Sequence, residues 1–82
     1  MTEAAFKEGR VYALEVLGRI GDQEMPDGAL EAALRVRLGL RDFEARRIIE
    51  ANEWAGLMAG TESDLVGKKW RLTPQGILQL AR

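Results

Sequence analysis

At 82 residues the chain has room for one small domain, and with no cysteine its core cannot be braced by a disulfide. The absence of both Cys and His excludes a thiol nucleophile, an imidazole base and any thiolate or imidazole metal site. Twelve basic against 13 acidic side chains leave a net charge of -1, a poor overall balance for holding nucleic acid.

The chain opens MTEAAFKEGR, acidic and polar, which is not the pattern of a signal peptide. No apolar run reaches membrane-spanning length, so the expectation is a cytoplasmic protein with no membrane partner. The spacing predicts a first helix over 3–20, in which Phe6, Ala13, Val16, Leu17 and Ile20 share one face. Glu15 and Arg19 are placed for an i,i+4 pair on the wet side, and Gly21 ends the helix. The loop GDQEMP follows, with room for a short strand at Met25. Asp22 and Glu24 in this loop, and Asp27 just after it, read as solvated rather than catalytic.

Asp27 is a natural N-cap for a second helix over 28–38, with Leu30, Ala33, Leu34 and Leu38 inward and Arg35 and Arg37 toward solvent. Gly39 closes it, and Leu40-Arg41 make a tight turn. A third helix begins near Asp42 and runs to about Trp54. At 100° per residue, Ala45, Ile48, Ile49 and Asn52 fall on its core side. Phe43, Arg47, Glu50 and Trp54 line up on the opposite side, with Arg46 and Glu53 on one flank and Glu44 and Ala51 on the other. Two exposed aromatics on one line call for a cover, either another part of the chain or a partner.

Gly56 stops that helix, and Leu57-Met58-Ala59 read as a short strand. GTESDLVGK reads as a loop bracketed by Gly60 and Gly67. Lys69-Trp70-Arg71-Leu72 alternates at period two, which predicts a returning strand with Trp70 and Leu72 inward and Lys69 and Arg71 outward. Thr73 caps a last helix over 74–81, with Pro74 at its first position and Ile77, Leu78 and Leu80 docking it. The fold class is therefore mainly α with a small β-hairpin, as one domain over 1–82.

Helix, tight turn, helix and hairpin, with Gly56-Leu57-Met58 opening the first strand and Leu72-Thr73-Pro74-Gln75-Gly76 closing the second, resembles the winged helix-turn-helix of bacterial transcription regulators. The likeness is to the multiple-antibiotic-resistance and related regulators, and it extends from the second helix onward. It departs from them at Arg41, where Ser or Thr is usual, near Asn52, where a leucine is usual, and at Phe43 and Glu50, where polar DNA-seeking residues are usual. The long dimerisation helices of those regulators are not expected here, because the sequence ends at Arg82.

The resemblance implies a three-helix core, a wing at about 59–71 and a short C-terminal helix. It also implies a recognition helix at about 42–54 that enters the major groove of double-stranded DNA. Arg46 and Arg47 would then meet phosphate or a guanine edge, Lys68, Lys69 and Arg71 the flanking backbone, and Arg41 the phosphate near the helix N-terminus. Nine of the 12 basic residues do lie in 35–82, with six of the 13 acidic ones. The alternative is a protein-interaction winged helix, with Phe43, Arg47, Glu50 and Trp54 facing a second copy or another protein. No catalysis, cofactor or metal is expected under either reading, because no nucleotide loop, triad or ligand cluster is present.

Overall fold

A computed structural model of the chain describes residues 1–65 and 67–82. The element order is α1 (Glu3–Arg19), β1 (Met25–Pro26), α2 (Asp27–Leu38), α3 (Asp42–Trp54), β2 (Met58–Ser63), β3 (Gly67–Leu72) and α4 (Pro74–Leu80). This mainly helical arrangement with a three-stranded antiparallel sheet is compatible with a winged-helix layout.

Local chemistry accounts for most boundaries. Thr2 caps α1, its hydroxyl accepting from the Ala5 N–H at 3.0 Å. Gly39 takes the left-handed conformation at φ 65° after α2, a geometry that costs glycine least. The chain then re-enters a helix at once. The Arg41 N–H donates to the Glu44 carboxylate at 2.9 Å, the return half of a capping box. That bond, together with the Met1 amino group 3.1 Å away, holds the Glu44 carboxyl below its ordinary pKa.

The core is built where α1, α2 and α3 meet the sheet. Leu14 and Leu17 of α1, Leu30 and Leu34 of α2, Ile48 and Ile49 of α3, Met58 of β2 and Trp70 of β3 are all buried. Leu14 is an addition to the expected α1 face, because the sheet and α4 cover a wider arc of that helix than one stripe. Asn52 is the one polar residue sealed in this core among the described residues. It is fully satisfied: its Nδ2 donates to the Arg10 carbonyl and its Oδ1 accepts from the Arg10 Nε, each at 3.0 Å. A leucine there would leave the Arg10 carbonyl and guanidinium without this partner.

The sheet order is β1-β3-β2. Met25 pairs with Trp70 on one side, so the short strand at Met25 forms as expected. On the other side β2 and β3 pair in register from Met58↔Leu72 through Gly60↔Trp70 to Ser63↔Gly67. This corrects the expected loop GTESDLVGK. Gly60, Thr61, Glu62 and Ser63 continue β2, Gly67 and Lys68 start β3, and the turn contains Asp64 and Leu65, with Val66 outside the described residues. Polar composition suggested a loop, but cross-strand backbone pairing carries the segment as a strand.

The last helix also differs from expectation. Leu80 packs against the core, but Ile77 and Leu78 are exposed. What seats α4 is its first turn. The Thr73 hydroxyl accepts from the Gly76 N–H at 3.1 Å and donates to the Gly56 carbonyl at 2.6 Å, joining the start of α4 to the end of α3. Gly76 lies so close to the segment entering β2 that a Cβ there would stand 2.0 Å from the Leu57 carbonyl oxygen, a space no side chain fits. Helix ends otherwise fall within a residue of expectation, at Arg19 and Leu80.

Candidate interaction surface

The outer side of α3 is the most distinctive surface of the molecule. Ala45, Ile48, Ile49 and Asn52 point into the core, which turns Phe43, Arg47, Glu50 and Trp54 outward along a row of about 17 Å. All four are exposed. Phe43 keeps 55% of its surface in water and Trp54 92%. The hairpin does not cover this row. The turn between β2 and β3 adds another bare apolar side chain, Leu65.

The six basic residues expected to face DNA divide into two groups. Arg46 is folded back onto α2. Its guanidinium donates to both oxygens of Asp27, one at 2.8 Å, and to Glu31 at 2.8 Å. Lys68 also has a carboxylate partner, but at the surface and still partly exposed. Strand alternation puts it on the same face as Trp70, where its stem lies across Gly60, its ammonium sits 4.6 Å from the Trp70 ring centre, and its Nζ reaches Glu53 at 3.3 Å. Arg71 is exposed and donates to the Thr61 hydroxyl across the strands at 3.1 Å. Arg41 and Arg47 are exposed at α3, and Lys69 is half-buried on the outer face of β3.

Asp27 was expected to cap α2. Instead it is the first residue of that helix, Pro26 stands at the cap, and no side chain bonds there. The Asp27 carboxylate turns inward, taking Arg46 as described and the Trp70 indole N–H at 2.7 Å. The Arg46 guanidinium holds the Asp27 carboxyl below its ordinary pKa of 3.8, against the opposing pull of burial. The same pairing raises the Arg46 pKa. Asp27, Glu31, Arg46 and Trp70 thus tie α2, α3 and β3 together from within. The only trace of this cluster in the sequence is the i,i+4 spacing of Asp27 and Glu31; the partners lie far along the chain.

Once Arg46 is internally bridged, the outer face of α3 carries Arg41 and Arg47 against Asp42, Glu50 and Glu53, the last already paired with Lys68. The surface is mixed in charge and framed by aromatics. Among the described residues, no helix is long and apolar enough to cross a membrane. Comparison with family models, with curated proteins and with solved structures returns no significant match.

Proposed function

We propose that this protein is a winged-helix interaction module that binds another protein through the outer row of α3, without chemistry of its own. The observation that carries the reading is the pairing of two exposed aromatics, Phe43 and Trp54, with Arg47 and Glu50 between them. Aromatic and Arg side chains dominate binding energy at protein interfaces, and a mixed-charge centre sets orientation. Leaving a tryptophan in water gives up the stabilisation its burial would contribute, so an occupant that covers it gains that term on binding.

Transcriptional regulation through DNA is the second reading. Arg41, Arg47 and Arg71, which are exposed, and Lys69, half-buried on the outer face of β3, favour it. It has one cation fewer to draw on than the sequence suggests, because Arg46 is held by Asp27 and Glu31, while the Lys68–Glu53 pair is exposed and weak. Few phosphate contacts mean weak binding and a shallow dependence on salt.

One pair of measurements separates the readings. A photo-crosslinker at position 54 should capture a discrete protein partner in cells, and Phe43→Ala should abolish that capture while the thermal melt stays native. Retention on duplex DNA should be absent at moderate salt. Salt-sensitive retention that Arg47→Ala removes, with no protein adduct at position 54, would transfer the function to DNA.

A further inference from the structure

The exposed side of α1 carries a second pattern, independent of the α3 row. Residues 3, 7, 11, 15 and 19 step by four along the helix and read Glu, Lys, Val, Glu, Arg. All five are exposed, with Val11 at the centre keeping 53% of its surface in water. Reversed, the row is its own electrostatic complement. When two copies of α1 cross antiparallel about a two-fold axis at Val11, Lys7, which lies about 40° from Val11 around the helix, meets the partner copy's residue 15, a glutamate about 40° to the other side. This pair occurs twice, and the two valines meet on the axis.

We propose that the protein self-associates as a two-fold dimer through this face of α1, with a second copy of the chain as the occupant. Rows of i±4 residues form ridges along a helix, and the ridges of two helices run alongside each other when they cross at about -50°. A two-fold contact requires a surface that complements itself, which is what this row provides. The charges are also weakly committed within one copy. Lys7 approaches Glu3 only to 3.8 Å, with both side chains mostly in water, a pair that contributes little. The expected Glu15–Arg19 pair does not form. Arg19 leans toward the Tyr12 ring, 6.0 Å from its centre, and Glu15 has no cation within 4.0 Å among the described residues. Beside Val11 lies a crevice of about 380 Å³, bounded by Leu14, Glu15, Gln79, Leu80 and Arg82.

The test is a charge swap read by sedimentation equilibrium from micromolar to millimolar chain concentration, with thermal melts as the control for folding. The native protein should show a monomer–dimer equilibrium that weakens as salt rises. Lys7→Glu and Glu15→Lys should each raise the dissociation constant by at least about tenfold, since each sets like charges together twice. The double variant Lys7→Glu/Glu15→Lys restores complementarity with the signs exchanged, and should return the constant to within about threefold of native. Val11→Asp places two carboxylates on the axis and should abolish the dimer. A native protein that stays monomeric throughout, single reversals without effect, or a folded double variant that stays monomeric would each overturn the proposal. So would loss of the dimer in Phe43→Ala/Trp54→Ala with the α1 reversals silent, which would move self-association to α3.

Discussion

The two tryptophans occupy opposite environments. Trp70, in the middle strand of the sheet, is 1% exposed; its indole N–H is bound by Asp27, Lys68 lies over its ring, and Met25 and Gly60 flank it across the strands. Trp54, on the last turn of α3, is almost wholly in water. One supplies the buried area that joins sheet to helices, with its polar atom satisfied. The other is not needed by the fold, although a buried position would have been favourable. The same residue type thus separates what holds this molecule together from what it presents to others.

The sharpest way to break that contrast is Trp70→Ala. Removing so large a buried side chain should destabilise the protein by about 3–5 kcal/mol in urea unfolding, and a cost under about 1 kcal/mol would mean the sheet is not anchored there. Next is Asp27→Ala, which leaves the Trp70 N–H without its acceptor and Arg46 with Glu31 alone. Because the cluster is partly wet, the expected cost is about 1–2 kcal/mol, well short of a sealed ion pair.

The pH dependence follows from the same carboxylate. Folding lowers the Asp27 pKa below 3.8, so its contribution is fully present above that value and is lost as pH falls through the depressed one. The difference in thermal midpoint between about pH 6 and about pH 3 should therefore be smaller in Asp27→Asn than in the native protein. An unchanged difference would remove Asp27 from the acid response. Smallest of all is Trp54→Ala, which should alter unfolding by no more than about 0.5 kcal/mol. It should also eliminate the acrylamide-accessible part of the tryptophan emission, leaving the shielded signal of Trp70.

The helical skeleton was legible because its signals are short-range. Gly39, Thr73 and Pro74 mark turns and caps through their own backbone preferences, and the inward faces of α2 and α3 follow from a 3.6-residue period. The outward row of α3 was readable for the same reason. The length of the hairpin was not, because Thr61, Glu62 and Ser63 have loop composition and become strand only through pairing with Gly67, Lys68 and Lys69. The fates of Arg46 and Lys68 were not legible either. An exposed-looking cation in a helical projection gives no warning that a carboxylate from another element stands within reach.

By itself the sequence determined the four helices, the approximate turns, the inner and outer faces of α3 and the absence of cysteine and histidine chemistry, since each depends on residue identity or on neighbours a few positions apart. The tertiary structure alone decided which cations stay available, how Asn52 is satisfied, why Gly76 must lack a side chain and that Asp27 serves Trp70 and Arg46 rather than a helix cap. Those outcomes rest on contacts between residues 15 to 43 positions apart. At such separations pairing is set by how the helices and sheet pack, and no local pattern encodes it.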